Sequence, residues 1–142
     1  MNAVDTNVLL YVHDPRDVAK QAIAVSLLQS LNDGVLLWQV ACEYLAASRK
    51  LEPLGYNRVQ AWQDIHDLRR VWTTILPKWN ILDEVERLSS RYSLSFWDAT
   101  IIAACLQEGI IRLYSEDFDA YLRVDGLEIA NPFKSSVTKK WD

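Results

Sequence analysis

Four acidic residues spread along this 142-residue chain stand where a predicted strand has just ended or a predicted helix has just begun. They are Asp5, Glu43, Asp98 and Asp117. Carboxylates gathered at one place raise one another's pKa unless a cation or a proton compensates. Mg²⁺ binds a few carboxylates and keeps several waters, which leaves positions for phosphate oxygens and an attacking water. The four acids therefore predict a magnesium site suited to hydrolysis of a phosphodiester.

Each acid also has a structural explanation when it is considered alone. Asp5 is suited to cap a helix, and Asp98 stands three residues after Ser95, which is the spacing of a capping box. Asp117 is suited to a turn. Glu43 is harder to explain in this way, because it lies in an apolar stretch where an unpaired acid would be costly. The convergence of all four favours a function over capping.

Residues next to these acids are expected to orient the carboxylates through hydrogen bonds. The expected donors are Thr6, Asn7 and Ser115. The identity of the last acid stays open, since Glu116 or Asp119 can share or replace the role of Asp117. We place Asp5 and Asp98 first in importance, then Glu43, then Asp117.

The elements that must position these residues alternate between strand and helix. Strands are predicted at residues 2–4, 35–38, 72–76, 110–114 and 127–129. Helices are predicted after Asp5, from Asp14-Pro15 to Gly34, over 39–50, from the Asn57 cap to Val71, over 81–92, and from Ser95 to Gly109. Alternation predicts an α/β fold with a parallel sheet and helices on its faces. Helix N-termini then lie beside strand carboxyl ends, the edge at which such sheets bind ligands.

Length and composition predict one folded domain. Half of the residues are hydrophobic, and Gly and Pro are scarce at four each, so a disordered chain does not fit. We expect a domain over residues 1–133 and a polar tail over 134–142. The N-terminal stretch resembles neither a signal peptide nor a membrane span, which predicts a cytoplasmic protein that does not enter a membrane.

Cysteine, histidine and tryptophan are all expected to be structural. Cys42 and Cys105 lie in apolar helices and are expected to be buried, reduced thiols. Only His13 and His66 accompany them, at no zinc-ligand spacing, so a zinc site is disfavoured and a hard cation favoured. The tryptophans at 62, 72, 79 and 97 are expected in the core or at its edge.

The formal net charge of −4 excludes general binding of polyanions by the whole surface, so a nucleic acid must be contacted locally. The visible basic groups are Arg49-Lys50, Arg58, Arg69-Arg70 and Arg87 with Arg91. For most of them we expect a solvated helical face rather than an RNA contact. The helix with Val59 and Trp62, together with the first long helix, is a candidate groove for an amphipathic partner segment.

Several of these motifs carry a family resemblance over nearly the whole chain. The matching segments are Ala3–Leu9 with its Asp-Thr-Asn, the early-helix Glu43, Phe96–Ala99, Leu113–Phe118 and Asp125–Phe133. They resemble a PIN domain, and more narrowly a VapC-type toxin. One departure is Asp119-Ala120-Tyr121, where many relatives have a polar segment ending in glycine.

The resemblance implies a three-layer α/β/α fold with a central, mostly parallel sheet. It also implies an endoribonuclease that depends on Mg²⁺, or on Mn²⁺, and acts as the toxin of a toxin-antitoxin pair. In that family Asp5, Glu43, Asp98 and Asp117 correspond to the metal-binding and catalytic acids. The implied partners are an RNA substrate, a cognate VapB-type antitoxin and a second copy of the chain in a homodimer.

Other functions fit the sequence less well. An aspartyl phosphatase shares the acid after the first strand but normally has a second Asp two residues on, where this chain has Asn7. A nucleotide-binding fold is disfavoured because no Gly-rich loop follows a predicted strand. The main alternative is a PIN-like module that binds RNA or a partner protein without cleavage.

Overall fold

Six strands and six α-helices lie along residues 1–118 and 121–134, the part of the chain that the structure, a computed structural model, describes. The strands are Asn2–Val4 (β1), Gly34–Leu37 (β2), Thr73–Ile75 (β3), Arg112–Tyr114 (β4), Arg123–Val124 (β5) and Leu127–Ala130 (β6). The helices are Thr6–Tyr11 (α1), Val18–Ser30 (α2), Trp38–Ala47 (α3), Arg58–Val71 (α4), Ile81–Arg91 (α5) and Phe96–Gln107 (α6), and a 3-10 helix spans Ser48–Leu54. The expected tail lies outside the described residues except for Lys134.

The strands form one sheet in the order β3-β2-β1-β4-β6-β5. All neighbours are parallel except β5 and β6, which form an antiparallel hairpin. In the centre of the sheet Ala3 is in register with Val35 on one side and with Leu113 on the other. The prediction of an α/β fold with a mostly parallel sheet is confirmed. The two-residue strand β5 was not predicted.

Helix starts follow the sequence signals, with one exception. Asn57 caps α4 by accepting a hydrogen bond from the Gln60 amide at 2.9 Å. The helix predicted from Asp14-Pro15 to Gly34 is wrong at both ends, because Asp17 caps α2 by accepting from the Lys20 amide at 3.0 Å, and α2 ends at Ser30, before Gly34 begins β2. The Asp14 carboxylate is instead occupied by the Arg16 guanidinium, at 2.9 and 2.8 Å.

Burial of the large side chains departs from expectation in several places. Cys105 is fully buried as expected, but Cys42 is exposed, because its position on α3 faces away from the sheet. Among the tryptophans expected in the core, Trp72 is buried, whereas Trp62, Trp79 and Trp97 are exposed. Helical spacing shows which residues share a face but does not say what covers that face.

No helix in the described ranges is both long and apolar enough to span a membrane.

Candidate metal-binding edge

The sheet brings the four predicted acids to its carboxyl edge, which we call the acidic edge. Asp5 directly follows β1, and Asp117 follows β4, the parallel neighbour of β1. Helix α3 begins as β2 ends and carries Glu43 in its second turn, and the first turn of α6 carries Asp98. Because the carboxyl ends of parallel neighbours lie side by side, residues more than a hundred positions apart in sequence meet at this edge.

Asp5 is the most buried acid of this edge, at 4% exposure. Its Oδ2 accepts a hydrogen bond from the Ser115 hydroxyl at 2.7 Å, and its Oδ1 accepts from the Thr6 amide at 2.8 Å. Asp5 therefore does cap α1, as its structural explanation requires, while one carboxylate oxygen is directed to Ser115. None of the cations in the described part of the chain forms an ion pair with it.

Burial raises the pKa of Asp5 from 3.8 to about 6. The hydrogen bonds from Ser115 and Thr6 oppose this rise in pKa, and the negative charges of Asp117 and Glu43 add to it. An acid that is buried beside other acids without a cation costs stability, because its charged form has lost water and gained repulsion. Such an arrangement is more typical of a functional site than of a cap.

Glu43 is linked to Asp5 through Thr6, which was predicted to orient the acids. The Thr6 hydroxyl donates to Glu43 Oε1 at 3.0 Å, while the Thr6 amide donates to Asp5. The second Glu43 oxygen accepts a long hydrogen bond from Gln39 Nε2 at 3.5 Å. Thr6 therefore fixes the separation of the two carboxylates. The other donor to Glu43, Gln39, belongs to the same helix as Glu43.

Gln39 and Thr100 join α3 to α6, and sequence reasoning missed both. The Gln39 amide nitrogen donates to the Trp97 carbonyl at 3.2 Å, and the Gln39 oxygen accepts from the Thr100 hydroxyl at 2.5 Å. These bonds hold the first turn of α6, and with it Asp98, against the helix of Glu43. Gln39 lies four residues before Glu43 on the same helical face, so this spacing was a usable signal.

Asp98 has a carboxylate that makes no hydrogen bond and no ion pair with the described residues. Its backbone amide donates to the Ser95 hydroxyl at 3.1 Å, so Ser95 caps α6 as predicted. The reciprocal bond of a capping box, from the Asp98 carboxylate back to the Ser95 amide, is not formed. Capping therefore explains Ser95 but not the acid at position 98.

Ser115 lies between two acids. Its hydroxyl donates to Asp5 and accepts from the Asp117 amide at 3.1 Å, so it fixes both the carboxylate of one and the backbone of the other. The Asp117 side chain is exposed, and its charge contributes to the raised pKa of Asp5. Ser115 thus contacts both acids through hydrogen bonds. Asn7 does not, because both polar atoms of its amide are buried without a partner among the described residues.

Glu116 is occupied by contacts with α1 and α2. Its carboxylate accepts from the Tyr11 hydroxyl at 2.7 Å and from Lys20 Nζ at 2.8 Å. The Phe133 ring packs edge-on against Tyr11 with a centroid separation of 5.0 Å, and Lys20 lies over both rings. We call Tyr11, Lys20, Glu116 and Phe133 the clamp. Asp119 lies outside the described residues.

As they stand, no three His, Cys, Asp or Glu side chains within residues 1–118 and 121–134 are close enough together to hold a metal ion. The donor chemistry nevertheless fits a hard cation, since the acidic edge offers carboxylate oxygens and two hydroxyls and neither of the two histidines. The negative charges of Asp117 and Glu43 both act to raise the pKa of Asp5, so a cation bound there would meet more than one of these acids.

Residues 3–127 match the model of the PIN domain family. This range covers most of the chain, so the protein belongs to the PIN domain family. None of the curated protein sequences compared with the chain is a significant match.

Solved structures with the same fold include proteins of toxin-antitoxin systems. A toxin-antitoxin complex from Klebsiella pneumoniae is similar with a TM-score of 0.72 at 17% identity, covering 95% of this chain and 100% of that one. VapC20 of Mycobacterium tuberculosis, described as a Sarcin-Ricin loop cleaving toxin, has a TM-score of 0.66 at 20% identity, covering 84% and 94%. FitAcB from Neisseria gonorrhoeae has a TM-score of 0.69 at 17% identity, covering 94% and 99%. At these identities the likeness concerns the fold.

Proposed function

We propose that this PIN-domain protein is a metal-dependent endoribonuclease that acts as the toxin of a toxin-antitoxin pair. The observation that carries the proposal is Asp5, a buried carboxylate whose pKa is raised to about 6, with Glu43 and Asp117 adding to the rise and no ion pair to a cation of residues 1–118 or 121–134. A divalent cation would remove this electrostatic cost. The description of VapC20 as a Sarcin-Ricin loop cleaving toxin supports the choice of RNA as substrate.

Asp5, Glu43, Asp98 and Asp117 would hold Mg²⁺ or Mn²⁺. When bound, the cation supplies an activated water and neutralises charge that develops on the phosphate. The chain's own residues orient the ligands: Ser115 and Thr6 fix the oxygens of Asp5, and Thr6 with Gln39 fixes Glu43. The Asp98 carboxylate, which bonds nothing in the described part of the chain, can turn toward the cation.

A metal titration tests the proposal against the alternative of a binding module without catalysis. Purified protein is incubated with structured and unstructured RNAs over a range of Mg²⁺ and Mn²⁺ concentrations, and the cut ends are mapped. We expect cleavage that rises with the metal, stops on chelation and returns when Mg²⁺ is restored in excess. Cleavage that survives chelation contradicts metal dependence, whereas RNA binding without any turnover favours the binding module.

A second copy of the chain is proposed as a partner at an apolar groove beside the acidic edge. This groove of about 440 Å³, which we call the tryptophan face, is lined by Trp38, Trp79, Phe96 and Trp97. Trp79 projects from it with 88% exposure, so the same surface offers both a protruding ring and a recess. A two-fold interface needs such self-complementarity. Lys78, the cation in the groove, is paired with Glu108 at 3.5 Å.

The dimer is tested by light scattering of the purified chain. Trp79→Arg is expected to convert a dimer to a monomer, while Trp62→Arg, an equally large change of an exposed tryptophan on α4, is expected to leave the dimer intact. A wild-type chain that stays monomeric at high concentration contradicts the proposal.

A VapB-type antitoxin is the other proposed partner, supported by the similar fold of the toxin-antitoxin complex from Klebsiella pneumoniae. Co-purification of the chain with the product of an adjacent gene tests it.

A further inference from the structure

Seven of the lysines and arginines in the described residues form an ion pair with an acid, but another group does not. Five cationic side chains in the described residues make no ion pair, and four of them belong to the stretch from the end of α3 to the end of α4. The four are Arg49, Lys50, Arg58 and Arg69, and all are exposed; the fifth is Arg123 on β5. Most of these unpaired cations therefore belong to one continuous stretch of a chain whose net charge is −4.

Two of these cations line one cavity together with an aromatic ring. The cavity, of about 640 Å³, lies between the end of α3, the 3-10 helix and the start of α4, and Arg49, Arg58 and Trp62 line it. Trp62 is 46% exposed, and its ring lies 6.2 Å from the ring of His66 one turn further along α4. Glu52 is the acid in the cavity, and it forms no ion pair with a described residue. We call this surface the basic groove.

The basic groove continues from the acidic edge along α3. Gln39 and Glu43 lie on the helical face that leads, three and seven residues on, to Ala46 at the wall of the groove and then to Lys50. From Glu43 to Ala47, where α3 ends, the axis advances roughly 6 Å at 1.5 Å of rise per residue, and the 3-10 helix that carries Arg49 follows directly. A strand whose phosphate lies at the acidic edge would therefore reach the groove within a few nucleotides.

We propose that the basic groove is a subsite for the single-stranded RNA that flanks the cleaved phosphodiester. The inference rests on the proposed nuclease function. Four acids at the acidic edge repel a polyanion, so the substrate needs cations nearby, and two of the unpaired cations, Arg49 and Arg58, line this groove. Guanidinium groups beside an exposed aromatic ring are the usual platform for unpaired bases and their phosphates. An apolar protein segment fits the tryptophan face better than this groove, which has two guanidinium groups in its wall.

The test measures RNA binding and cleavage separately. Fluorescence anisotropy of a labelled single-stranded oligoribonucleotide, in chelator and at several salt concentrations, compares wild type with an Arg49→Gln/Arg58→Gln double variant. We expect the double variant to bind about tenfold more weakly at low salt and to lower the slope of log K against log salt by about 1.4, since two phosphate contacts are lost. Trp62→Ala should weaken binding at least about fivefold without changing that slope.

The controls are chosen to leave the groove intact. Arg123→Gln removes an unpaired cation elsewhere and should bind like wild type, and an Arg49→Lys/Arg58→Lys variant should retain most of the affinity. In cleavage assays with Mg²⁺, the double glutamine variant should raise KM and leave kcat nearly unchanged. Thermal melting confirms that each variant is folded, which the exposure of these side chains favours.

Failure of this inference is distinguishable from failure of the nuclease proposal. If wild type cleaves RNA but the double variant binds and cleaves with unchanged constants, the basic groove is not a subsite. The same conclusion follows if wild type binds no RNA in chelator. It also follows if the double variant still binds RNA but no longer co-purifies with the antitoxin. If wild type binds RNA through the groove but never cleaves it, the subsite stands and the nuclease proposal fails.

Discussion

The two edges of the same parallel sheet treat a carboxylate in opposite ways. At the amino edge, just before β2, Asp33 accepts a hydrogen bond from Asn2 Nδ2 at 2.9 Å and lies 3.4 Å from the Met1 amino group. The Asn2 hydrogen bond, with the nearby amino group, holds the pKa of Asp33 below its ordinary value. At the carboxyl edge, burial beside other acids raises the pKa of Asp5 to about 6.

We infer that this difference separates a structural acid from one that is available for function. Both residues are Asp and both bond a neighbouring backbone or side chain, so the residue type and a local hydrogen bond do not distinguish them. The surrounding charge does, because Asp33 is stabilised in its ionised form and Asp5 is not. An acid that is left uncompensated by the protein is available to a cation from solution.

The largest expected effect comes from removing the charge of Asp5. Asp5→Asn should lower the rate of RNA cleavage at saturating Mg²⁺ by at least about a thousandfold, because a metal ligand worth several kcal/mol of charge stabilisation is lost. Asp33→Asn, the matched change at the amino edge, should leave the rate within about twofold. Single-turnover cleavage assays measure both. Equal losses in the two variants would remove the distinction between the edges.

The same comparison predicts a pH dependence of stability without metal. Because the folded pKa of Asp5 is raised from 3.8 to about 6, the native state keeps a proton that the unfolded chain has lost. The free energy of unfolding should therefore fall by about 3 kcal/mol as the pH rises from about 4 to about 6, and this contribution stays constant above that range. Asp33 acts in the opposite direction. Its lowered pKa contributes stability at neutral pH, and this contribution is lost as the pH falls through the pKa of the folded state.

Urea unfolding in chelator between pH 4 and pH 8 measures this effect. Wild type minus Asp5→Asn isolates the contribution of Asp5, and above pH 6 the variant should be the more stable protein. Adding Mg²⁺ should restore much of the wild-type loss and do nothing for the variant. A difference between the two proteins that is the same at every pH would show that Asp5 titrates normally.

Local signals made much of this architecture predictable from sequence. The Ser95 and Asn57 caps and the order of the predicted elements depend on neighbouring residues, and these are confirmed, whereas the ends of β2, β3 and β6 each differ from the prediction by one residue. Contacts between distant residues were not predictable in the same way. The bond from Gln39 to Trp97 joins residues 58 apart, and no propensity or periodicity encodes such a pair. The exposure of Cys42 and of Trp79 likewise depends on which surfaces the fold leaves uncovered.

A smaller effect, confined to stability, is expected at the amino edge. A Cβ atom added to Gly34 would lie 2.2 Å from the indole of the buried Trp72, so Gly34→Ala must displace a packed ring. We expect a loss of about 1–3 kcal/mol in the free energy of unfolding. The Mg²⁺ concentration for half-maximal cleavage should not change, because this edge holds no metal ligand. Gly126→Ala, where an added Cβ meets nothing within 4 Å, is the control. A changed metal requirement in Gly34→Ala would show that the two edges are coupled.

The smallest effect is expected from the clamp, which supports the carboxyl edge from outside. Lys20 bonds Glu116 at 2.8 Å, and Glu116 lies between Ser115, which donates to Asp5, and Asp117. Lys20→Met should loosen this segment and raise the Mg²⁺ concentration for half-maximal cleavage about three- to tenfold, with kcat at saturating metal within about twofold of wild type. The cost is modest because a partly exposed ion pair contributes about 1 kcal/mol or less.

Lys20→Arg, which keeps the charge, should restore most of the metal affinity, and melting in chelator should show little change for either variant. This pattern distinguishes a positioning role from a purely structural one, which would lower the melting temperature and leave the metal requirement unchanged. If Lys20→Met retains the wild-type response to Mg²⁺, then Ser115 and the sheet hold the acids without help from the clamp. The acidic edge would in that case be fixed by β1 and β4 alone.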